Sequence, residues 1–303
     1  MQKKKNNLIQ AAASNVTQCE RCGTCLTVCP LYAIHGVERV SPRGKNMIAR
    51  ALSQDGIEPT KEVLNAVNFC LLCRSCVDNC PSKLKVDETM IHAREYLTQL
   101  NGGPTLKYHA IGRMLKSRTM VKLAATSLAV MRKIGLNSLI PYGMAPEQYV
   151  RKNLTAACAG PAVYGQKIPH SEVKVALKTK VAYFQGCGMQ MMFPEAAEDT
   201  IRILKTTTSL MIKENVCCGL PHLAHGLRNE FIASAKKNME LYEDVEIIVT
   251  DCASCGGTLK HTADYFKDDP QWRQRAEAFS RKIMDLSDFF ASIPKGIMVT
   301  CIN

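Results

Sequence analysis

Two stretches decide how this chain reads: Cys19-Glu-Arg-Cys22-Gly-Thr-Cys25-Leu-Thr-Val-Cys29-Pro30 and Cys70-Leu-Leu-Cys73-Arg-Ser-Cys76-Val-Asp-Asn-Cys80-Pro81. Both have the form C-x2-C-x2-C-x3-C-P. A two-residue gap lets one tight loop place three thiolates on three corners of a cubane, and chain direction then carries the fourth away to a neighbouring centre. C-x2-C pairs also suit structural zinc, but a third cysteine at the same gap plus Cys-Pro, twice over, is an iron–sulfur habit. The expected cofactors are therefore two [4Fe-4S] clusters. Cys19, Cys22, Cys25 and Cys80 are assigned to one, and Cys70, Cys73, Cys76 and Cys29 to the other.

A third constellation lies downstream: Cys187, the tandem Cys217-Cys218-Gly219, and Cys252-x2-Cys255. Neighbouring cysteines have diverging side chains, so a tandem pair serves a polynuclear centre better than a single ion. Gly219 lets backbone approach without a Cβ in the way. Buried cysteines acting as small hydrophobes would account for one or two of the five, and mononuclear zinc needs only four. A third iron–sulfur centre on Cys187, Cys217, Cys218, Cys252 and Cys255 is the reading that uses all of them. Cys158 and Cys301 have no patterned partner.

Working outward, 15 cysteines in 303 residues fall below the roughly 8–10% of a disulfide scaffold. The N-terminus leads into no apolar stretch of signal-peptide length. A reducing cytoplasm with thiolates kept for metal follows. Apolar residues make up 46% and charged residues 22%, which excludes disorder, collagen and coiled coil. The most apolar stretch, near Met120–Met131, is broken by Lys122, whereas a spanning helix needs ~20 residues. The formal charge of +12 is lopsided: residues 101–150 carry seven basic residues against the single acidic Glu147. The basic set (Lys107, Arg113, Lys116, Arg118, Lys122, Arg132, Lys133) reads as a solvated face, as a docking surface for an acidic partner, or as peripheral contact with the inner face of a membrane. Without a reading motif, nucleic acid is not an expected partner.

The organisation reads as three segments: 1–100 with the two paired runs, a basic helical linker region 101–171, and a cysteine-rich domain 172–303. Helices are expected at Asn46–Leu52, Lys61–Phe69, Val86–Leu100, Pro194–Lys205 and Asn229–Tyr242, with Ser41-Pro-Arg-Gly turning into the first. Val181–Phe184, Leu210–Ile212, Val245–Thr250 and Gly296–Thr300 read as strands alternating with helices, hence a mostly parallel sheet. The fold class is α + α/β. Cysteines 187, 217, 218, 252 and 255 sit at expected strand ends, the edge where α/β folds bind ligands.

The paired runs, the Ser41-Pro-Arg-Gly turn and the motifs F184QGCGMQMMFPEAAEDTIRIL, C217CGLPHLAHG and C252ASCGG resemble one family. It comprises the iron–sulfur subunits of glycolate oxidase and of the D-lactate and anaerobic glycerol-3-phosphate dehydrogenases, with a CCG motif shared with heterodisulfide reductase. The resemblance implies a helical-type two-[4Fe-4S] ferredoxin domain, then an α/β CCG domain holding a noncubane cluster. It also implies an FAD-containing dehydrogenase subunit that oxidises a 2-hydroxy acid (glycolate or D-lactate). This chain would pass its electrons on to the quinone pool or an electron-transfer flavoprotein, without being catalytic alone. The alternative is a heterodisulfide-reductase-like subunit whose CCG cluster reduces a disulfide. Neither G-x-G-x-x-G nor G-x-x-x-x-G-K occurs, so flavin and nicotinamide are not expected here. Family members usually carry a second CCG unit opening with Asp-Pro-Cys-His after a strand. Here the matching strand, Gly296–Thr300, is followed by Cys301-Ile-Asn, which reads as a truncated first half. Histidines 222, 225 and 261 near the CCG cysteines are read as packed rather than ligating, and Met189, Met191 and Met192 as core filling.

Overall fold

The computed structural model describes residues 2–101, 103, 106–135 and 179–293. They divide into two compact units, one from residues 1–112 with 219–231, the other from 113–218 with 232–303.

The first unit is helical: α1 (Gln2–Ser14), α2 (Thr24–Thr27), α3 (Pro30–His35), α4 (Pro42–Ser53), α5 (Lys61–Asn68), α6 (Ser75–Asp78) and α7 (Val86–Leu100). Local chemistry sets the starts. Ser41 caps α4 by accepting the Gly44 N–H at 2.8 Å, with Pro42 in the first turn, where its missing N–H costs nothing. Thr60 caps α5 through the Val63 N–H, and Asp87 and Glu88 stand at the positive end of α7. The core joins Ile9 and Ala12 of α1, Ala49 and Leu52 of α4, Val67 of α5, and Met90, Ala93 and Leu97 of α7. The alanines, wholly buried, let the helix axes approach closely. Helix α1 was not expected: its buried stripe is mostly alanine, which carries little periodic signal.

The expected helix Val86–Leu100 is present with the same bounds. The expected helix Asn46–Leu52 extends back to Pro42. The basic middle carries α8 (Leu106–Leu115) and α9 (Arg118–Lys133). The spaced apolar positions Leu115, Val121 and Leu128 are buried.

The second unit is built on a four-stranded sheet, β1 (Lys180–Tyr183), β2 (Ser209–Ile212), β3 (Ile247–Thr250) and β4 (Ile283–Asp285), in the order β2-β1-β3-β4 with every pairing parallel. Val181 lies opposite Leu210 on one side and Ile247 on the other. Val181, Tyr183, Ile247, Val249 and Met284 pack with Ala197 and Leu204 of the helix Pro194–Thr207 and Phe289 of the helix Leu286–Ser292. Met189 packs against that core, and Met191 against Leu128. Three of the expected strands are present. The fourth, Gly296–Thr300, lies outside the described residues, as do Cys158 and Cys301. β4 went unread because it has three residues, separated by Lys282 alone from the helix Arg273–Arg281. Among the described residues no helix is long and apolar enough to cross a membrane.

Candidate metal centres

The two cysteine runs adopt the same backbone twice. Arg21 (φ 54°) and Gly23 (φ 84°) of the first match Leu72 (φ 55°) and Arg74 (φ 66°) of the second, all left-handed. Each run therefore turns back on itself twice in five residues and then enters a short helix, α2 or α6. Three of these four residues carry a Cβ, a conformation costing ~1–2 kcal/mol each and typical of ligand clamps.

These loops line two hollows. One is walled by Cys29, Cys70, Cys73 and Cys76, with Lys45, Arg74 and Asp87. The other is walled by Cys19, Cys22, Cys25 and Cys80, with Arg43 and Asn46, and Cys76 also reaches its wall. In each, the fourth cysteine comes from the opposite run. The described residues gather no three His, Cys, Asp or Glu side chains about a single ion-sized point. Several thiols line each hollow, Cys29, Cys70, Cys73 and Cys76 in one and Cys19, Cys22, Cys25, Cys76 and Cys80 in the other.

Burial opposes thiolate formation in both. It pushes the Cys25 thiol up to about 11 and raises Cys76, with the negative charges of Cys70 and Cys73 adding to the rise. Exposed Cys22 goes the other way, lowered by the Thr24 hydroxyl and backbone. A metal entering these sites must therefore displace protons.

The loops are held from behind. Arg94 of α7, 3% exposed, donates to the carbonyls of Val67, Asn68 and Cys70, at 2.6 Å for Cys70, and to Ala224. Arg74 pairs with Asp87, yet burial still raises the Asp87 carboxyl. Asn46 points its amide at Cys19 Sγ, 3.8 Å away.

In the second unit, Cys187, Cys217, Cys218, Cys252 and Cys255 converge at the carboxyl edge of three adjacent strands, β2, β1 and β3. Cys187 Sγ lies 3.7 Å from Cys217 Sγ. Cys255 is hydrogen-bonded to Cys218 and Cys252. A Cβ on Gly186 would stand 3.1 Å from Cys255 Sγ, so this glycine lets the β1 loop lie against the β3 cysteines. Its hydrogen bond to Cys217, then burial, raises Cys187. The bond to Cys255 instead brings Cys252 down to about 6. The tandem motif ends at Gly219, with φ of +95°, where a Cβ would meet the Phe231 ring at 2.4 Å.

Buried amides brace these loops. Asn215 exchanges hydrogen bonds with both the N–H and the carbonyl of Gln185. Asn238 accepts from the Val216 N–H at 3.1 Å and donates to the Cys217 carbonyl at 3.2 Å. The Tyr183 hydroxyl and Thr200 both donate to Asp251, beside Cys252. None of these braces was legible beforehand, because a lone Asn or Arg carries no spacing signal. The basic middle is partly spent within its own unit: Arg118 donates to Gln185 at 2.6 Å and Lys122 pairs with Glu214. His222 is buried against the Gly112 carbonyl, and His225 stacks on Tyr108.

This architecture defines a class, and comparison bears the class out. A 4Fe-4S dicluster domain matches residues 15–84 and a cysteine-rich CCG domain matches residues 181–260. The chain thus carries both an iron–sulfur dicluster domain and a cysteine-rich CCG domain, within a helix-rich fold that has a small all-parallel four-stranded sheet. Relatives matching nearly its whole length include a probable glycolate oxidase iron-sulfur subunit of Bacillus subtilis, 28% identical over 91% of this chain and 65% of its own. The glycolate oxidase iron-sulfur subunit of Escherichia coli is 25% identical over 93% and 67%. Lactate utilization protein A of Shouchella clausii is 29% identical over 38% of this chain and 49% of its own. The chain thus spans about two thirds of the length of these two glycolate oxidase relatives. No solved structure matches.

Proposed function

We propose that the chain is an electron-carrying iron–sulfur subunit. In this reading Cys19, Cys22, Cys25 and Cys80 hold one [4Fe-4S] cluster, and Cys70, Cys73, Cys76 and Cys29 a second. Cys187, Cys217, Cys218, Cys252 and Cys255 hold a third, noncubane centre. The observation that carries it is the exchange of fourth cysteines, with Cys80 in the wall of the first run's hollow and Cys29 in that of the second. Such centres supply reversible one-electron storage. The chain's part is to aim thiols inward through the left-handed loops, exclude water from Cys29, Cys217, Cys218 and Cys255, and anchor the loops through Arg94, Asn215 and Asn238.

The proposed electron donor is an FAD-containing dehydrogenase oxidising glycolate or D-lactate; the relatives' names carry glycolate oxidase and lactate utilization. The acceptor is the quinone pool or an electron-transfer flavoprotein, reached in the cytoplasm or at the inner face of the membrane. Iron and acid-labile sulfide on anaerobically purified protein, with EPR of the reduced sample, test the assignment. About twelve irons support three centres, and about eight restrict the loaded sites to the two hollows of the first unit. Zinc without iron overturns the reading. Cys80→Ser should perturb the signal that Cys22→Ser perturbs and leave the one that Cys73→Ser perturbs.

A further inference from the structure

We propose that Lys45 is the electrostatic tuning residue of the centre on Cys29, Cys70, Cys73 and Cys76, and makes it the more readily reduced of the two in the first unit. The inference rests on the two-cluster reading above. The Ser41 cap fixes where α4 begins, and the helix then carries Lys45 and Asn46 inward side by side. Lys45 is 1% exposed, although lysines normally reach for water, and it stands in the wall of the second run's hollow. Its Nζ donates to the Val40 carbonyl at 2.7 Å. Among the described residues it forms no ion pair with a carboxylate.

A buried ammonium served only by a neutral carbonyl is costly unless negative charge occupies the space beside it, and four thiolates holding a cluster bring such charge. The other charged residues of that wall, Arg74 and Asp87, pair with one another and largely cancel, leaving Lys45 as the uncompensated cation.

The first run's hollow differs. Its charged residues are exposed Glu20 and Arg21, and Arg43, which is committed to Glu38 at 2.7 Å. Water screens these charges. The buried polar group there is Asn46, 2% exposed and neutral. Consecutive residues of one helix thus offer a cation to one site and an amide to the other. A fixed positive charge favours the state with the extra electron, because each reduction adds a negative charge.

The experiment is an EPR-monitored potentiometric titration of the full, iron-loaded chain, comparing wild type with Lys45→Met, Lys45→Gln and Lys45→Arg. Cys73→Ser identifies which signal belongs to the second run's centre. That centre should titrate at the higher midpoint in wild type. Lys45→Met should move its midpoint to more negative potential and leave the other in place, and Lys45→Arg should restore it. An unmoved midpoint, an equal shift of both signals, or an Arg variant that shifts like Met overturns the proposal. If Lys45→Met loses iron, the Gln–Arg comparison decides, since both can still donate to Val40: equal midpoints overturn it. About eight irons with midpoints indifferent to residue 45 would sink the tuning role and spare the two-cluster reading, whereas iron-free protein would sink both.

Discussion

Arg94→Met should loosen the second cysteine loop without emptying the core of α7. Three carbonyls, of Val67, Asn68 and Cys70, accept from this guanidinium at 2.6–3.2 Å. A hydrogen bond to a charged group is worth ~1.5–3 kcal/mol net, so three lost bonds with dry acceptors would cost ~5–9 kcal/mol. The acceptors would not stay dry. A hollow of about 380 Å³ borders Arg94, Asn68 and Cys70, and entering water recovers roughly half of that cost. Removing a buried charge returns a little more, leaving a net cost of ~3 kcal/mol in local opening of the Cys70 loop. The assay is the rate of iron release to a chelator under anaerobic conditions, which follows local opening when reclosing is fast. The expected acceleration is on the order of a hundredfold, since ~1.4 kcal/mol is tenfold. Arg94→Lys, a point charge with three donors, should rescue only part. A Met variant that releases iron within about twofold of wild type would refute the claim that these bonds hold the loop.

Further expectations concern the second centre and the acid limb. Asn238→Ala leaves the Val216 N–H and Cys217 carbonyl without their partner. It should cost ~2–3 kcal/mol and lower iron at the CCG cysteines while both EPR signals of the first unit persist. Gly219→Ala forces a Cβ into the Phe231 ring at positive φ, and a fall in melting temperature with ~3 kcal/mol of lost stability is expected by calorimetry. Burial, then the charge of Arg228, lowers the His92 pKa. The unfolded chain therefore binds the proton more readily, and the stability His92 contributes is complete above about pH 6.5 and lost as pH falls through its depressed folded value. Denaturant midpoints at pH 7.5 and 5.5 should differ less in His92→Gln than in wild type, and equal pH dependence would remove His92 from the account.

Much of this was written locally in the chain. Each cysteine run is a backbone segment whose spacing alone dictates a loop with three inward thiols, so the two runs announced their chemistry without tertiary information. Ser41-Pro42 marked the start of α4 because capping is satisfied within one turn. The apolar runs at 181–184 and 245–250 read as strands because both faces are buried in a parallel sheet.

The sequence by itself thus pointed to iron–sulfur chemistry, singled out the patterned cysteines, and placed most of the helices and three of the four strands, since these signals depend on residues a few positions apart. The exchange of fourth cysteines was also expected from the spacing, and the tertiary structure sets Cys29 and Cys80 each in the wall of the opposite run's hollow. Tertiary structure alone revealed α1, whose alanine stripe gains meaning only against Ala49 and Ala93, and β4, three residues long and held by pairing with β3. It also turned Lys45, Arg94, Asn215 and Asn238 from ordinary polar residues into braces and charges of the sites. The physical reason is the same throughout: burial and long-range hydrogen bonding give a polar side chain its role, and neither is encoded in the residues beside it.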